Sequence, residues 1–465
     1  MSLTSINPTT GETIETFEEL DDAAIDAALA SAARAFRERR AGSVDDRSRC
    51  LAAAARLLEE EKVKLARIAV TEMGKPLRAA IAEVEKCALT CRHYADHATV
   101  YLADEPLASE ATESYVRHLP LGPVLAIMPW NFPYWQLFRF AAPALLAGNV
   151  ALLKHASNVS RCALAIEDVI RRAGFAEGMF RTLLVGSRRV GRIIADERVA
   201  AVTLTGSEGA GVAVATAAGQ ALKKTVLELG GSDPFVVMPS ADVDAAVRVA
   251  VTARTINNGQ SCIAAKRFIV HRDVYRAFEE RFVAAIERLR VGDPLHENTD
   301  LGPLATADVR DNLEKQVQQS VAAGARLLAG GRRIDGRGFF FPATVLADVP
   351  EGAPAATEEL FGPVAPLFVA EDVAHAIALA NATPYGLGSS VWTNDRGEER
   401  RFVDEIVAGQ TFVNAMVASD PRLPFGGVKR SGYGRELSVV GMREFMNAKT
   451  VYVNRSQRHH VSSSE

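Results

Sequence analysis

Residues 122–173 read GPVLAIMPWNFPYWQLFRFAAPALLAGNVALLKHASNVSRCALAIEDVIRRA, and this stretch decides the fold. Its apolar runs, Gly122–Met128 and Asn149–Leu153, are as short as buried β-strands. Each run is followed by a longer helical pattern, the second from about Ser157 to Ala173. Short buried strands that alternate with helices are typical of βαβ units. The stretch therefore predicts a parallel sheet covered by helices.

The same alternation extends toward the C-terminus, with a break near residues 229–232, where two glycines follow a strand. A second α/β unit is expected to begin after that break. The further predicted strands are Phe180–Val185, Val199–Thr203, Thr225–Leu227, Pro234–Met238, Phe268–His271 and Thr450–Val453.

The N-terminal region is predicted to be helical. Apolar residues in Asp22–Phe36 recur at helical spacing, with Asp21 or Asp22 as the N-cap. One Ala/Leu-rich helix is expected over residues 46–71, and it can run on to the stop signal Met73–Pro76. Another helix is expected from about Leu77 to His97.

Composition excludes several classes of protein. The chain has 465 residues, of which 48% are hydrophobic and 24% are charged, as in globular proteins with a sizeable core. Its formal charge of −4 argues against a general nucleic-acid-binding surface. The sequence contains no apolar run long enough to predict a membrane span. Its N-terminus lacks the basic segment followed by an apolar segment that is typical of a signal peptide. Five cysteines are too few for a disulfide scaffold and favour a cytoplasmic location.

One cysteine stands in a sequence that suits a nucleophile. Gly259–Cys262 reads GQSC and is expected to be a loop after a helix. A thiolate there would be a strong nucleophile, whereas the alternative is a small buried apolar residue. The helical, Ala-rich surroundings of Cys50, Cys87 and Cys162 favour that alternative for these three.

A metal site is not expected. Cys87, Cys91, His93 and His97 have the right side chains for zinc, but on a helix the cysteines and histidines point in directions well over 100° apart. The pair His459–His460 in the polar tail is expected to be solvated.

Polar residues follow three of the predicted strands. Residues 204–211, LTGSEGAG, open a helix and can offer N–H groups to a phosphate, or form an ordinary Gly-rich turn. Lys154 ends a strand at the edge where parallel sheets bind ligands. Glu228 ends another, either as a solvated charge or as a general base aimed into a cleft.

Six motifs in this order resemble the aldehyde dehydrogenase superfamily over essentially the whole chain. They are Met128–Pro133 (MPWNFP), Leu204–Ser207 (LTGS), Glu228–Gly231 (ELGG), Gly259–Cys262 (GQSC), Glu358–Val364 (EELFGPV) and Pro424–Gly432 (PFGGVKRSG).

The resemblance implies an α/β fold with two Rossmann-like parallel-sheet domains and a small oligomerisation arm. The cofactor domain would span residues 1–229 and include a hairpin near residues 100–118. The catalytic domain would span residues 230–425. Residues 426–465 would return to the cofactor domain and pair a C-terminal strand with the hairpin. A homo-oligomer, either dimer or tetramer, is expected.

The resemblance also implies roles in NAD(P)-dependent oxidation of an aldehyde to an acid. Cys262 would attack the aldehyde to form a thiohemiacetal and then a thioester. The amide of Asn131 would stabilise the oxyanion, together with the backbone N–H of Cys262. Glu228 would activate water to hydrolyse the thioester. The cofactor would contact Trp130, Lys154, Ser157, Gly206, Ser207, Glu359 and Phe361.

Within the superfamily, residues 130–139 (WNFPYWQLFR) and 154–158 (KHASN) resemble short succinate-semialdehyde dehydrogenases. In that subgroup Arg139 and Ser419 would bind the distal carboxylate of the substrate, with the alternative that Arg139 is a surface residue. The expected substrate-binding set is Gln136, Arg139, Ser419 and Phe425.

Two positions depart from the subgroup pattern. Ile256 stands where some relatives carry an Arg, which weakens the carboxylate pocket and leaves room for glutarate semialdehyde, lactaldehyde or simple alkanals. Ala264 stands where some relatives carry a second Cys, so a redox switch is not expected.

Ser157 bears on the choice of cofactor. It replaces a Glu found in many NAD-linked relatives, which favours NADP, although Ser157 could instead only cap the next helix.

Two other classes are weighed against the dehydrogenase. A cysteine hydrolase or acyltransferase would need a His partner for Cys262, and His271 is the nearest downstream candidate. A structural protein that kept the fold without the activity would not need Cys262, Glu228 and Asn131, all of which are present.

Overall fold

The computed structural model describes residues 2–40 and 42–455, so the histidine pair 459–460 lies outside the described residues. The strands, in chain order, are β1 Ser2–Ile6, β2 Thr13–Glu18, β3 Glu105–Pro106, β4 Glu113–Pro120, β5 Pro123–Met128, β6 Val150–His155, β7 Phe180–Thr182, β8 Ala201–Thr205, β9 Lys224–Glu228, β10 Asp233–Val237, β11 Ala265–His271, β12 Arg326–Ala329, β13 Thr344–Ala347, β14 Val364–Ala370, β15 Ser389–Trp392, β16 Thr411–Val413, β17 Gly432–Tyr433 and β18 Met446–Val453.

The helices separate most of these strands. They are α1 Asp22–Arg39, α2 Val44–Glu60, α3 Lys62–Met73, α4 Leu77–Tyr101, α5 Trp135–Ala147, α6 Ser160–Arg172, α7 Val190–Ala195, α8 Glu208–Gln220, α9 Val243–Thr255, α10 Arg272–Ile286, α11 Ala307–Ala322, α12 Pro354–Thr357, α13 Val373–Asn381, α14 Arg396–Glu405 and α15 Ser438–Arg443. Short 3₁₀ turns cover Ser157–Val159, Ser187–Arg189, Ile256–Gly259 and Lys429–Ser431.

The first large sheet has six strands in the order β17-β9-β8-β5-β6-β7. All pairs are parallel except β17 with β9. In the central strand β5, Leu125 lies opposite Leu152 on one side and Val202 on the other. These three side chains are fully buried, as expected for strands covered on both faces. The predicted parallel sheet is thereby confirmed.

The second large sheet has seven strands in the order β12-β13-β14-β11-β10-β15-β16, and only β12 is antiparallel to its neighbour. Its core contains a cluster of aromatic rings, which are Phe235, Phe268, Phe278, Phe282 and Trp392. Residues 229–232 connect β9 of the first sheet to β10 of the second, at the break expected from the sequence. The α/β fold class is confirmed, and the exact domain limits stay a prediction.

A separate three-stranded sheet has the order β18-β4-β3. Strand β18 runs antiparallel to β4 over eight residue pairs, from Met446 opposite Pro120 to Val453 opposite Glu113. The hairpin and the C-terminal strand are thus joined as the family resemblance implied. Within residues 2–40 and 42–455, no helix is long and apolar enough to cross a membrane.

Three local predictions differ from the structure. The helix expected over residues 46–71 is two helices, because the backbone leaves helical geometry at Glu61 (φ −104°, ψ 10°), where Arg172 binds the carboxylate. The first 20 residues contain a hairpin, β1 with β2, that the sequence pattern did not indicate. The strand expected over Phe180–Val185 ends at Thr182. Of the two residues considered as N-cap of the first helix, Asp21 takes that position and accepts a hydrogen bond from the Ala24 N–H.

Candidate active site

Three neighbouring parallel strands bring the first motifs to one edge of the sheet. Asn131 follows the end of β5, Ser207 follows β8, and Glu228 is the last residue of β9. Because β9, β8 and β5 are adjacent and parallel, their carboxyl ends point the same way. Ligands of α/β sheets bind at this edge.

The loop that carries Cys262 has an unusual backbone. Asn257 (φ 56°), Asn258 (φ 58°) and Gly259 (φ 74°) are consecutive residues in the left-handed region. Asn and Gly tolerate that region better than other residues. A Cβ at Gly259 would also lie 2.3 Å from the carbonyl carbon of Gly362, so only glycine fits there. This turn carries the chain from α9 to Cys262.

Two buried cations hold the same loop. The Arg254 guanidinium donates to the carbonyls of Gly259 and Gly362 at 2.7 and 2.6 Å. The Lys266 ammonium donates to the carbonyls of Ser261 and Cys262 at 2.8 and 2.7 Å. Sequence analysis missed both residues. Lys266 lies just before the predicted strand Phe268–His271, and the structure places it inside β11, which is buried along its whole length.

Two cavities meet at Cys262. The first, of about 290 Å³, is lined by Trp130, Gly206, Ser207, Glu359 and Phe361, which are five of the expected cofactor residues. The second, of about 240 Å³, is lined by Lys86, Trp135, Arg139, Ser419 and Phe425. Cys262 and Gln136 line both. Cys262 is therefore shared by the two cavities.

Lys154 and Ser157 lie at the end of β6, outside the residues that line these two cavities. Ser157 is exposed and begins a 3₁₀ turn. The alternative that Ser157 only caps the next helix is wrong, because α6 has Val159 as its N-cap and no side-chain cap hydrogen bond. Both residues stay candidates for cofactor binding.

The Cys262 thiol is not preformed as a thiolate. Burial raises the pKa of Cys262 to about 12, although the positive charges of Arg139 and Lys266 act in the opposite direction. The thiol must therefore lose its proton during the reaction rather than before it.

Glu228 is buried without hydrogen-bond partners. Its side chain is 1% exposed, and neither carboxylate oxygen has a partner in residues 2–40 and 42–455. Burial raises the pKa of Glu228 well above the usual value, Glu436 adds to this effect and Arg139 opposes it. A Cβ at Gly426 would lie 2.8 Å from one Glu228 oxygen, so this glycine leaves room for the carboxylate. A raised pKa is what the expected role as a general base requires.

The Asn131 amide is fixed to the cysteine loop. The side-chain nitrogen of Asn131 donates to the backbone carbonyl of Gln260 at 3.0 Å, and the backbone carbonyl of Asn131 accepts a hydrogen bond from the Asn257 side-chain amide at 2.7 Å. An amide nitrogen carries two protons, so one donor remains. The expected oxyanion donor is therefore bound to Gln260, which stands two residues before Cys262 in the chain.

Arg139 is a buried residue of the second cavity, so the alternative that it lies on the surface is wrong. Its guanidinium forms an ion pair with Glu436, donates to the Thr205 hydroxyl at 3.3 Å and lies 4.5 Å from the centre of the Phe425 ring. Binding of a substrate carboxylate by Arg139 stays a prediction.

His271 does not lie near Cys262. It is the last residue of β11, whereas Cys262 precedes the first, so about 3.3 Å per residue puts roughly 20 Å between them. Its Nδ1 accepts a hydrogen bond from the Asp273 N–H instead. The partner suggested for a cysteine hydrolase is therefore wrong. Across residues 2–40 and 42–455, no cluster of three or more His, Cys, Asp or Glu side chains is arranged for a metal ion.

A cysteine shared by two cavities is the arrangement of an enzyme in which a nucleophile stands between a substrate and a cofactor. The chain belongs to the aldehyde dehydrogenase family, whose family model matches residues 1–451. The expected family is confirmed.

Three similar proteins come from Mycobacterium and Streptococcus species. The chain is 57% identical over 456 residues to "Succinate-semialdehyde dehydrogenase [NADP(+)] 1" of Mycobacterium tuberculosis, with 97% of this chain and 100% of the relative covered. It is 55% identical over 456 residues to "Succinate-semialdehyde dehydrogenase [NADP(+)]" of Mycobacterium leprae, with the same coverage. A solved succinic semialdehyde dehydrogenase from Streptococcus pyogenes in complex with NADP+ is 36% identical, with a TM-score of 0.95 and 97% and 100% of the chains covered.

Proposed function

We propose that this chain oxidises succinate semialdehyde to succinate with NADP as the hydride acceptor. The observation that carries the proposal is the position of Cys262 between a cavity lined by cofactor-type residues and a cavity with cations near its wall. The names of the Mycobacterium relatives support the substrate and the cofactor.

The first cavity fits the nicotinamide half of a dinucleotide. Trp130 and Phe361 form its aromatic wall, with their rings 5.7 Å apart and edge to face. Glu359 offers a carboxylate to ribose hydroxyls, and Gly206 and Ser207 lead into the N-terminus of α8, where phosphates bind well. Bound NADP would supply the acceptor for the hydride that leaves the substrate carbon.

Cys262 forms the covalent bond to the substrate. Its sulfur adds to the aldehyde carbon, the electron pair of the C=O π bond moves to the oxygen, and the thiol proton passes to a water molecule, which gives the thiohemiacetal as its oxyanion. The developing oxyanion lies between the Asn131 amide and the backbone N–H of Cys262, and one such donor is typically worth about 2.7–4 kcal/mol. Loss of hydride from the same carbon leaves a thioester on Cys262.

Glu228 removes the acyl group. Its unpartnered, buried carboxylate accepts a proton from water, and the resulting hydroxide attacks the thioester carbon. The tetrahedral species then releases Cys262 and the carboxylic acid. The raised pKa of Glu228 makes the carboxylate a stronger base than an ordinary glutamate.

A panel of aldehydes tests the proposal. Succinate semialdehyde, glutarate semialdehyde, lactaldehyde and butanal are each assayed with NADP and with NAD by absorbance at 340 nm. Succinate semialdehyde with NADP is expected to give the highest kcat/KM. Cys262→Ala should abolish both this activity and any esterase activity, whereas Cys50→Ala, at a half-buried site on α2, should retain both.

A second candidate is a dehydrogenase for a neutral alkanal. Part of the second cavity is apolar, with Ile256, Ile263, Met416 and Val417 in its wall. Under this alternative butanal would match or exceed succinate semialdehyde in kcat/KM, and the same panel would show it.

The sheet of β3, β4 and β18 supports a further proposal, that it joins copies of the chain into a dimer or tetramer. Leu107, Leu119 and Tyr452 are exposed apolar residues in this part of the molecule. Light scattering of the intact protein and of Leu119→Asp compares their masses. A lower mass for the variant supports the proposal, and a monomeric intact protein contradicts it.

A further inference from the structure

We infer that Lys86 supplies a further positive charge for the distal carboxylate of the substrate, beside the bond expected from Arg139, an inference that rests on the proposed oxidation of a carboxylate-bearing aldehyde. Lys86 lies on α4 and lines the second cavity together with Cys262. Its ammonium donates to the Ser419 hydroxyl at 2.8 Å and lies 4.3 Å from the centre of the Trp135 ring. The amine and the hydroxyl form a pair of donors at one place in the wall.

The carboxylates around Lys86 are engaged by other cations. Asp420 accepts two hydrogen bonds from Arg422, at 2.8 and 2.6 Å. Glu83 is paired with Lys75 in a buried ion pair. In residues 2–40 and 42–455, no carboxylate lies within ion-pair distance of Lys86.

Arg139, in contrast to Lys86, has a carboxylate partner. Its charge is balanced by Glu436 at the back of the cavity, where both side chains are 2% exposed. Together the three groups Lys86, Arg139 and Glu436 carry one net positive charge. A monoanionic substrate neutralises that charge, whereas a neutral aldehyde leaves it uncompensated.

The cysteine-loop side of the second cavity is apolar at Ile256. This residue stands six positions before Cys262 and lines the cavity with an apolar side chain. Lys86 lines the same cavity as Ile256 but comes from α4 instead of the cysteine loop. The positive charge at this cavity therefore comes from Lys86 on the α4 side of the cavity wall. Burial lowers the pKa of Lys86 to about 8, so a bound anion that restores its charge is favoured.

The test compares Lys86→Gln and Lys86→Arg with wild type on two substrates of four carbons, succinate semialdehyde and butanal. Lys86→Gln is expected to lose about 10- to 150-fold in kcat/KM for succinate semialdehyde, mainly through KM, and far less for butanal. Lys86→Arg should recover part of the loss, because it keeps the charge. Lys64→Gln, at an exposed site on α3, is the matched control.

A second measurement does not need turnover of succinate semialdehyde. Succinate is tested as an inhibitor of butanal oxidation, with butyrate as its neutral-ended counterpart. Wild type should be inhibited more strongly by succinate than by butyrate, and Lys86→Gln should lose this difference. Butanal activity and thermal melting show whether each variant is folded.

The outcomes separate the two claims. A wild type that prefers butanal overturns the proposed function, and the succinate inhibition then tests Lys86 independently. A Lys86→Gln variant that keeps both the substrate preference and the succinate inhibition of wild type overturns the inference about Lys86. Equal losses on both substrates, without a change in inhibition, overturn it as well.

Discussion

Arg139 and Glu436 form a buried ion pair that joins α5 to the segment before α15, across 297 positions of the chain. Both side chains are 2% exposed. Glu228 is close enough that Arg139 opposes the rise in its pKa while Glu436 adds to it. The pair therefore connects the wall of the second cavity with the environment of Glu228, the proposed general base.

Arg139→Ala is expected to raise KM for succinate semialdehyde by about 10- to 150-fold relative to butanal, because a charge-assisted bond to the carboxylate is lost. It should also lower the free energy of unfolding by about 3–5 kcal/mol, because Glu436 is left buried and unpaired. Kinetics on both substrates and urea denaturation measure the two effects. Equal kinetic losses on both substrates would mean that Arg139 only supports the fold.

The double variant Arg139→Ala, Glu436→Ala provides the control for stability. Removal of both charges should recover part of the lost free energy of unfolding, whereas substrate selectivity should stay reduced. Additive losses in the double variant would show that the ion pair is not the source of the destabilisation.

Alkylation of Cys262 in the ligand-free protein should accelerate with pH. A pKa of about 12 means that the thiolate fraction grows about tenfold for each pH unit through the neutral range. Iodoacetamide labelling between pH 6 and 9, quantified on the peptide that contains Cys262, is expected to show a steady rise without a plateau. A plateau near pH 7 would mean that the thiolate is preformed.

Glu228→Gln should separate acylation from deacylation. The amide cannot accept a proton from water, so the first hydride transfer is expected to proceed and the thioester to accumulate. A burst of reduced cofactor equal to the enzyme concentration, followed by slow turnover, should appear in stopped-flow absorbance. Intact protein mass would then show an added acyl group. Absence of the burst with intact substrate binding would assign Glu228 to an earlier step.

The five parallel strands of the first sheet were predictable because their signal is local, whereas the short strand β17 was not predicted. Runs such as Pro123–Met128 are apolar on both faces, and the following Trp130–Asn131 or Gly206–Ser207 marks the carboxyl end of a strand. The order of six motifs then identified the family. The exposed hairpin strand Thr13–Glu18 has no comparable apolar run, so its pairing left no signal in the sequence.

The long-range hydrogen bonds that hold the residues of the site in place could not be predicted from local sequence patterns. Arg254 binds the Gly362 carbonyl 108 positions away, and Lys86 binds Ser419 across 333 positions. Such pairs form only when elements that are distant in the sequence are placed together by the fold. A charged residue in a helix is also the ordinary pattern of a solvated face, so no local pattern singles out Lys86.

The preference for succinate semialdehyde should fall as pH rises through about 8. Lys86 is charged below that pH and neutral above it. Burial and the charge of Arg139 lower its pKa, whereas the neighbouring groups Cys87, Asp420 and Glu83 raise it. Titration of Cys262 across the cavity affects both substrates alike. The ratio of kcat/KM for succinate semialdehyde to that for butanal therefore isolates Lys86 in the free enzyme. Lys86→Arg should keep the ratio constant with pH, because a guanidinium stays charged.

Ser157→Glu should shift cofactor preference from NADP toward NAD. Ser157 is exposed at the end of β6, three residues after Lys154, whose ammonium can bind a 2′-phosphate as a point charge. A glutamate there would face the phosphate with a charge of the same sign, which costs on the order of 1 kcal/mol or more. The ratio of kcat/KM for NADP to that for NAD should therefore fall by about fivefold or more. Ser109→Glu, an exposed serine in the loop before β4, carries the same change of charge away from β6 and should leave the ratio unaltered. A wild type that prefers NAD, with a ratio that Ser157→Glu leaves unchanged, would contradict the role of Ser157.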